Sequence, residues 1–423
     1  MRLLVGCGQW SLIGGSERYA RELVSELALR GHELIVLYGD GDPEPEDGVE
    51  FERFEALAPL TAPQGSRAAL RRRLAAHAPE LVLQLTPCAA WIVSEYQRAA
   101  PYARFVQDHT LFCPGLNKLL ADGTRCRSPM GRVCLERYFL GTGCHGFRPA
   151  SRRRPVWKAI QRLRIKRHEF ALHADAQLLL VASEYMRGEL VAAGAPPERV
   201  VVLPYATRAA TGATPPLPLP QDTRSFLAPQ AGVEPVLVTA ARLALPDKGV
   251  DVLLEILERI HRPFRAVIAG SGPARAELER AVSERGLASR VHFSGWLAAG
   301  QMETLYEVAD AVLMPSTWDE PFGLVGIEAM AHGVPVVAFD VGGVGQWLEG
   351  GVGGWRLPRG DLAAFARAVE RSLDEPQVAH TTGAAGRVRV ARDFRYGSHV
   401  SRLEALLEGC LRAVSALDRQ AAV

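Results

Sequence analysis

Short apolar runs alternate with segments of helical periodicity along most of the chain. The first run, RLLVGCG, is followed by a stretch in which Tyr19, Leu23 and Leu27 recur at helical spacing until Gly31 ends the helix. Runs that are apolar on both faces and alternate with helices are typical of a parallel sheet covered on both sides. Residues 1–205 are therefore predicted to form a doubly wound, Rossmann-like α/β domain. Further strands are predicted in the runs ELIVLYGD, LVLQLTP, ARFVQD, QLLLVAS and RVVVLP.

This pattern is interrupted at residues 206–234, where prolines are frequent. Because proline fixes the backbone and lacks an amide donor, the segment is predicted to be an interdomain linker without regular structure. The alternation then restarts, which predicts a second doubly wound domain over residues 235–397. Residues 398–423 carry apolar positions at spacings of three and four, which predicts an amphipathic terminal helix. The first domain is one surface on which this helix could pack.

Length and composition agree with two domains. The chain has 423 residues, more than the roughly 250 to 300 at which a single core stops growing. An apolar content of 48% with 23% charged residues is ordinary for a globular protein and argues against a disordered or fibrous chain. Ligands of open α/β sheets bind beyond the carboxyl ends of the strands. Two such domains facing each other therefore predict a ligand site in a central cleft.

A net charge of +2 gives no general attraction to anions, and we expect no nucleic-acid partner. One basic patch stands out at residues 152–167, where eight Lys or Arg occur without an acid. Two interpretations of this patch stay open. It is either a solvated helix face or an interfacial helix that turns Trp157, Ile160, Leu163 and Ile165 towards lipid headgroups.

Membrane crossing is not expected, because no apolar run reaches the ~18 residues that a span needs. The apolar stretch in MRLLVGCGQWS is too short for a signal peptide. We therefore expect a cytoplasmic protein, with peripheral contact to the inner face of the membrane if the basic patch binds lipid.

Two acids interrupt an otherwise apolar and glycine-rich segment, DEPFGLVGIEAMAHGVPVV at residues 319–337. The pattern predicts a strand, a loop that carries Glu320, and a helix that carries Glu328 and is closed by glycine and proline. Both carboxylates can accept hydrogen bonds from a polyhydroxylated ligand above the helix amino terminus. That terminus offers unpaired amides, which suit phosphate or sugar hydroxyls. The amides are those of Phe322, Gly323, Leu324 and Val325.

Two cations are predicted at the same edge of the second sheet. The segment AARLALPDKG places Arg242 at the end of a strand and Lys248 where a helix begins. Both could balance the charge of one diphosphate. Taken singly, Arg242 could instead pair with Asp247, and Lys248 could be an ordinary surface residue.

The sequence resembles the retaining glycosyltransferases of family 4, which have the GT-B fold. EPFGLVGIE is similar to that family's pair of glutamates, and ARLALPDKGVDVLLE to its arginine and lysine segment. The surrounding blocks VIAGSGP, RVHFSGWL and VLMPSTWDEPFGLVGIEAMAHGVPVVAFDVGG also resemble the second domain of the family. VASEYMRGELVAAGAPPERVVVLP resembles the block that closes the first domain, so the resemblance covers nearly the whole chain.

The resemblance implies a two-domain enzyme that moves a sugar from a nucleotide-diphosphate sugar to an acceptor, with retention at the anomeric carbon. It implies that Glu328 holds the ribose and that Arg242 and Lys248 hold the diphosphate. Glu320 and the four amides would hold the sugar hydroxyls and the distal phosphate. Cations and a helix terminus would then take the place of a catalytic metal, so no cofactor is expected. The acceptor would be a glycan, a lipid-linked saccharide or a small natural product bound by the first domain.

Two further features of the first domain enter through the resemblance. GGSE at residues 14–17 is similar to the family's amino-terminal glycine loop, which implies that Gly14 and Gly15 approach the phosphate across the cleft. In FVQDHTLFCPG, where family members end a strand with histidine, His109 is the candidate for orienting the sugar or steadying positive charge. Asp108 would be its partner or a contact to the acceptor. A structural role for His109 stays open. The family's asparagine, glycine and aspartate are also replaced in LPYAT at residues 203–207.

Four of the seven cysteines fall within a predicted insert at residues 113–145, beside His145. Four thiols could hold a structural zinc, but their spacings lack the close pairs of ordinary zinc sites. Buried or free thiols are an equal alternative, and disulfides rank third in a cytosolic protein. The cysteines are Cys113, Cys126, Cys134 and Cys144.

Other functions compete with glycosyl transfer. Within enzymes, a GT-B epimerase or phosphorylase would process a nucleotide-sugar or sugar phosphate without this acceptor chemistry. Outside enzymes, the chain could be a catalytically silent glycan-binding module. VGCGQW near the amino terminus also suggests a dinucleotide site, but the third glycine and the following acid are missing, so a dehydrogenase is disfavoured.

Overall fold

The computed structural model describes residues 1–11, 14–57, 65–140, 143–144, 146–147, 156–228 and 234–421. The chain forms two compact units. The first comprises Met1–Pro204 together with Gly397–Val423, and the second comprises Tyr205–Tyr396.

Each unit is built on one parallel sheet. The strands are β1 (Arg2–Trp10), β2 (Glu33–Gly41), β3 (Val49–Arg53), β4 (Leu81–Gln84), β5 (Tyr102–Val106), β6 (Leu178–Val181), β7 (Val200–Val202), β8 (Val236–Ala240), β9 (Arg265–Ala269), β10 (Val291–Gly295), β11 (Ala311–Met314), β12 (Val336–Phe339) and β13 (Gly354–Leu357). The helices are α1 (Gly15–Leu29), α2 (Ser66–His77), α3 (Ala90–Ala99), α4 (Arg132–Leu140), α5 (Val156–Ala174), α6 (Glu184–Ala192), α7 (Gln221–Leu227), α8 (Val250–Glu258), α9 (Arg275–Glu284), α10 (Ala299–Glu307), α11 (Leu324–Ala331), α12 (Leu362–Asp374), α13 (Pro376–Asp393) and α14 (Tyr396–Ala421).

In the first unit, seven strands pair in the order β3-β2-β1-β4-β5-β6-β7. The central strands are apolar on both faces because helices cover both. Leu3, Leu4 and Val5 of β1, for example, have no exposed surface. The order reverses between β1 and β4, as in a doubly wound fold.

In the second unit, six strands pair in the order β10-β9-β8-β11-β12-β13. Here the order reverses between β8 and β11, which are hydrogen-bonded neighbours. Reversal of strand order leaves a crevice at the carboxyl ends of the two strands, because their following helices cover opposite faces. The loops that follow β8 and β11 are therefore placed to form a ligand site.

The proline-rich segment differs from its prediction. Residues 221–227 form α7, so the expectation that the whole of 206–234 lacks regular structure was wrong. Thr223 of this helix is buried, and its hydroxyl lies 3.0 Å from His292 Nε2 of β10. Tertiary contacts of this kind stabilise a short helix. The flanking prolines do not break it, because the prolines lie outside the helix.

The terminal helix α14 belongs to the first unit. Its apolar positions Val400, Leu403 and Leu407 are fully buried, as the spacing predicted. The ring of His399 lies 2.9 Å from the Tyr19 hydroxyl of α1 and 2.7 Å from the Pro204 carbonyl. Apolar burial and these polar contacts together attach the helix to the unit.

The basic patch gives a mixed result. Residues 152–155, including Arg152, Arg153 and Arg154, lie outside the described residues. In α5, Trp157 and Ile165 are exposed, whereas Leu163 is buried. The four apolar residues therefore do not form one outward-facing stripe. Nowhere in the described part of the chain is a helix long and apolar enough to cross a bilayer.

Candidate functional site

Two loops of the second unit meet at the reversal of strand order. The hydroxyl of Thr317 donates to the Pro246 carbonyl at 2.6 Å, and the Thr317 amide donates to the Asp247 carbonyl at 3.1 Å. Gly249 makes this approach possible, because it has a φ of 62° and a Cβ there would lie 2.1 Å from the Pro315 carbonyl oxygen. The loop after β8 is thereby held against the loop after β11.

The contact brings Lys248 onto Glu320. Lys248 Nζ donates to Glu320 Oε1 at 2.7 Å and to Oε2 at 2.9 Å, and Ser316 Oγ donates to Oε1 at 2.6 Å. Glu320 is only 4% exposed, whereas the Lys248 side chain is 24% exposed. Lys248, which was predicted to bind the diphosphate, is therefore hydrogen-bonded to Glu320, which was predicted to bind the sugar.

The charge state of Glu320 follows from its partners. Burial alone would raise the pKa of this carboxyl. The charge of Lys248 and the hydrogen bonds from Lys248 and Ser316 outweigh that effect and lower the pKa below its usual range. Glu320 is therefore a carboxylate at neutral pH, and it holds the ammonium of Lys248 at the edge of the sheet.

Arg242 is oriented differently from Lys248. Its guanidinium is 68% exposed and lies 3.8 Å from Asp247 Oδ2, which is the ion pair that the sequence left open. At that exposure and distance the pair contributes little to stability. A ligand at this edge could replace the interaction at small cost.

Helix α11 begins at the same place. Gly323 precedes the helix with a φ of 100°, and the first amide bonded within it is that of Gly326, which donates to the Gly323 carbonyl at 3.1 Å. Trp347 stabilises this turn, because its buried indole donates to the Phe322 carbonyl at 2.7 Å. The Leu324 and Val325 amides therefore lie at a helix amino terminus, where anions are stabilised.

Glu328 lies inside α11 and is 5% exposed. The hydroxyl of Tyr306, on the neighbouring helix α10, donates to Glu328 Oε2 at 3.0 Å. The Tyr306 ring also packs against His332, with 5.5 Å between ring centroids. Tyr306 was missed from the sequence, although a tyrosine on the buried face of an amphipathic helix needs a partner for its hydroxyl.

In the first unit, His109 is fully buried. Its Nε2 lies 2.9 Å from the Tyr185 hydroxyl, and its ring packs against Phe112. The Asp108 carboxylate accepts hydrogen bonds from the amide and the hydroxyl of Thr110, the first at 2.8 Å, and so caps the turn that contains His109. Burial lowers the pKa of His109 to about 4, so the ring is neutral at pH 7. These contacts favour the structural role, and the catalytic role of His109 and Asp108 stays a prediction.

A neutral, buried His109 makes stability depend on pH. Its pKa falls from 6.5 to about 4 on folding, so the unfolded chain binds the extra proton between those values. The free energy of unfolding should then drop by about 3 kcal/mol as the pH is lowered through this window. Urea unfolding at several pH values gives the free energy of unfolding as a function of pH. This free energy should change less steeply with pH in the His109→Phe variant than in the wild type. His168→Phe, which changes an exposed histidine, should keep the wild-type slope; an unchanged slope in His109→Phe would refute the assignment.

The glycine loop of the first unit gives a weaker match to its prediction. Gly14 precedes α1 with a φ of 122°, and Gly15 is the first residue of the helix. The Glu17 carboxylate accepts a hydrogen bond from the Ser16 hydroxyl at 2.7 Å, and a Cβ on Gly14 would lie 2.3 Å from Glu17 Oε2. This carboxylate opposes an anion at the same helix terminus. Phosphate contact by Gly14 and Gly15 stays a prediction.

The structural zinc site that the clustered cysteines suggest stays a prediction. Within the described ranges, no three side chains of His, Cys, Asp or Glu are placed to share a metal ion, and His145 lies outside those ranges. Arg137 instead donates to Cys126 Sγ at 2.8 Å, and the Cys113 thiol is hydrogen-bonded to Cys144. Cys134 packs in the same small cluster as Cys144, and all seven cysteines are free thiols.

Comparison with known families addresses both units. Residues 13–207 match the model of glycosyltransferase family 4, and residues 234–375 match the model of the glycosyl transferases group 1. The two matches fall on the two sheets and include the loops described above. The chain belongs to glycosyltransferase family 4. The resemblance inferred from the two glutamates and the arginine and lysine segment is thereby confirmed.

Similar family members are named for the transfer of different sugars. An alpha-D-kanosaminyltransferase of Streptomyces kanamyceticus is 36% identical over 34% of this chain and 38% of its own length. A GDP-mannose-dependent alpha-(1-6)-phosphatidylinositol monomannoside mannosyltransferase of Mycolicibacterium smegmatis is 31% identical over 56% of this chain and 63% of its own length. The chain thus spans less than two thirds of the length of these relatives.

Solved structures confirm the GT-B fold. The sucrose-phosphate synthase of Thermosynechococcus elongatus matches 98% of this chain and 100% of its own with a TM-score of 0.71 at 22% identity. HepE of Anabaena, solved in complex with UDP-glucose, matches 97% of this chain and 100% of its own with a TM-score of 0.69 at 20% identity. Two doubly wound parallel sheets are what the sequence predicted for the fold.

Proposed function

We propose that this family 4 glycosyltransferase moves a sugar from a nucleotide-diphosphate sugar to a hydroxyl of its acceptor, and that the second unit binds the sugar donor. The observation that carries the proposal is the Lys248–Glu320 pair, which lies at the reversal of strand order beside the amino terminus of α11. A cation, helix amides and two buried carboxylates form a site for an anion flanked by hydroxyl groups.

Each group has a proposed contact with the donor. Lys248 and Arg242 offset the charge of the diphosphate, and the Leu324 and Val325 amides bind its phosphate oxygens. Because the diphosphate gains charge as the glycosyl bond breaks, these positive groups stabilise the transition state more than the ground state. Glu320 accepts hydrogen bonds from the sugar hydroxyls once the donor diphosphate competes for Lys248.

Glu328 is proposed to bind the ribose hydroxyls. Tyr306 supports this role, because its hydrogen bond to Oε2 holds the Glu328 carboxylate in one orientation. A held carboxylate loses less side-chain entropy when the nucleotide binds.

Retention of anomeric configuration is part of the proposal. Both acids of the site have proposed contacts with the donor, Glu320 with the sugar hydroxyls and Glu328 with the ribose, so neither is assigned as the base that activates an acceptor. The acceptor would approach from the face of the leaving group, and a departing diphosphate oxygen would take the hydroxyl proton as the new bond forms.

The acceptor is proposed to be a glycan, a lipid-linked saccharide or a small natural product. The relatives support this range, since one is named for kanosamine transfer and another for a phosphatidylinositol mannoside. Peripheral membrane contact through residues 152–167 stays a prediction. Binding of the protein to anionic vesicles would support this prediction if replacing Arg164 and Arg167 with glutamine abolished the binding.

A thermal-shift screen tests the proposed function. UDP, GDP, ADP, CDP, TDP and their sugars are each added in excess, and a ligand at ~100 times its dissociation constant should stabilise the fold by about 2.7 kcal/mol. We expect one base to raise the melting temperature, and the matching sugar to be transferred to an added acceptor. Donor epimerised or phosphorolysed without an acceptor would favour the alternative enzymes. No shift with any nucleotide would favour a silent glycan-binding module.

Replacing Tyr306 with phenylalanine should raise the KM for the sugar donor about 5- to 30-fold with little change in kcat. This corresponds to about 1 to 2 kcal/mol for a hydrogen bond that orients a charged group. Steady-state kinetics of Tyr306→Phe measure both constants, with Tyr38→Phe in the first unit as the control. A lower melting temperature with an unchanged KM would show that Tyr306 is only structural.

A further inference from the structure

Three neighbouring strands of the first sheet carry a buried polar row. Gly6 of β1 lies beside Gln84 of β4, and Gln84 lies beside Arg104 of β5. Residues in register on parallel strands point to the same face of the sheet. A Cβ on Gly6 would lie 1.9 Å from Gln84 Oε1, so this glycine makes room for the amide. The first glycine of VGCG, which does not belong to a dinucleotide motif, therefore has a role in this row.

The row lies at the reversal of strand order in the first sheet. The Thr86 carbonyl, in the loop after β4, accepts hydrogen bonds from Gln84 Nε2 at 2.8 Å and from Arg104 Nη1. The Thr86 hydroxyl accepts a hydrogen bond from the Gly8 amide of β1 at 2.5 Å. Thr86 is partly exposed and Pro87 is exposed. The row therefore lies directly below the surface at the place where open α/β sheets bind ligands.

Arg104 is a buried cation to which no described residue supplies a counter-ion. It is 2% exposed, and no carboxylate in the described part of the chain forms an ion pair with its guanidinium. Its Nε also has no hydrogen-bond partner there. Buried charges are usually paired, because an unpaired charge loses its hydration without compensation. An anion is therefore the partner that this guanidinium needs.

Gln84 adds a hydrogen-bond acceptor to the row. The residue is fully buried, and its Oε1 has no partner among the described residues. Its amide nitrogen is already bonded to the Thr86 carbonyl, which leaves the oxygen as the free end. A cation and an acceptor without partners at one crevice fit a ligand that carries both an anionic group and a hydroxyl group.

We propose that Arg104 binds an acidic group of the acceptor sugar and that Gln84 accepts a hydrogen bond from a neighbouring hydroxyl. The proposal rests on the proposed transfer of a sugar to an acceptor, and it assigns that acceptor to the first unit. The acidic group takes the place of the Thr86 carbonyl on the guanidinium, while Gln84 Nε2 still binds this carbonyl. Carboxylates of uronic acids and phosphates of sugar phosphates share this chemistry, since both match the fork of donors of an arginine.

Stability separates a binding arginine from a structural one. Arg104→Met removes the charge but keeps an unbranched side chain in the core. The Thr86 carbonyl keeps its hydrogen bond from Gln84, so we expect the melting temperature to equal or exceed that of the wild type. A structural arginine predicts a lower melting temperature instead.

Isothermal titration calorimetry on the full-length chain, without any donor, tests the binding. The wild type should bind glucuronic acid or glucose 6-phosphate about 10- to 100-fold more tightly than glucose, as expected for hydrogen bonds to a charged group. The two acids distinguish a carboxylate from a phosphate. Arg104→Met should bind the preferred acid no more tightly than glucose. Arg72→Met, which removes an exposed cation of α2, should bind all three sugars as the wild type does.

Three results would overturn the proposal, and the first needs no variant to fold. It is a wild type that binds glucose as tightly as both acids; if a nucleotide-sugar still binds, the proposed function remains. The second is an Arg104→Met variant that keeps the preference for the acid. The third is a melting temperature that falls in Arg104→Met and not in Arg72→Met. Binding of an acidic sugar that depends on Arg104, without binding of any nucleotide, would support this site and contradict the proposed function.

Discussion

Lys248→Ala is expected to lower the turnover of the nucleotide-sugar by about 10²- to 10³-fold, the usual cost of losing one group that stabilises developing negative charge. Lys248 Nζ already lies at the edge of the sheet in a bond to Glu320, so the ammonium is in place before the donor binds. It is also the only lysine between residues 205 and 396. Steady-state kinetics with saturating acceptor measure the loss.

The same substitution should destabilise the protein, because it leaves the buried Glu320 carboxylate without its cation. Lys248 is partly exposed, so the cost should be nearer to that of an unsatisfied hydrogen-bonded group, about 1 to 3 kcal/mol, than to that of a fully buried ion pair. Lys248→Arg should restore much of the stability but less of the turnover, since the planar guanidinium presents its charge differently. Arg367→Ala, which removes an exposed cation of α12, is the control. A folded Lys248→Ala variant with normal turnover would contradict the role.

Glu328→Ala is expected to weaken binding of the preferred nucleoside diphosphate about 10- to 100-fold. A hydrogen bond to a charged group contributes about 1.5 to 3 kcal/mol, and the substitution removes the acceptor proposed for the ribose hydroxyls. Isothermal titration calorimetry measures the affinity directly.

Inorganic pyrophosphate separates the two proposed roles. Glu328→Ala should bind pyrophosphate as well as the wild type does, whereas Lys248→Ala should bind both ligands more weakly. Glu307→Ala, which removes an exposed acid of α10, should change neither affinity. Equal losses for pyrophosphate and nucleotide in Glu328→Ala would remove the ribose assignment.

Much of the fold could be predicted from the apolar runs, because a strand buried on both faces leaves a clear signal. The runs around RLLVGCG, PVLVTAAR and AVLMPST all became central strands. Helix α7 could not be predicted, because its stability comes from contacts such as that of Thr223 with His292 rather than from its own pattern.

The site was predicted in part. Lys248 and Glu320 were placed at one edge because each follows a strand at its carboxyl end, and the reversal of strand order makes those strands neighbours. Their direct bond depends on the approach of two loops at Gly249, which spacing along the chain does not encode. The Tyr306–Glu328 bond depends in the same way on tertiary structure, because the two residues lie on different helices.

Residues outside the second unit show where motif reasoning stops. The sequence indicates His109 because the family carries a histidine near this strand end, but the burial of His109 and its bond to Tyr185 follow from three-dimensional packing. The cysteine spacings allowed a four-thiol site, and only the fold pairs Cys113 with Cys144. The burial of individual side chains and the contacts between distant segments therefore could not be predicted from the sequence.

A crystal structure of the second unit's site in the full chain with its preferred nucleotide-sugar tests the central claim most directly. Diphosphate oxygens should lie within hydrogen-bonding distance of Lys248 Nζ and of the Leu324 and Val325 amides, with the ribose hydroxyls on Glu328. A bound nucleotide elsewhere, with Lys248 still held by both oxygens of Glu320, would contradict it.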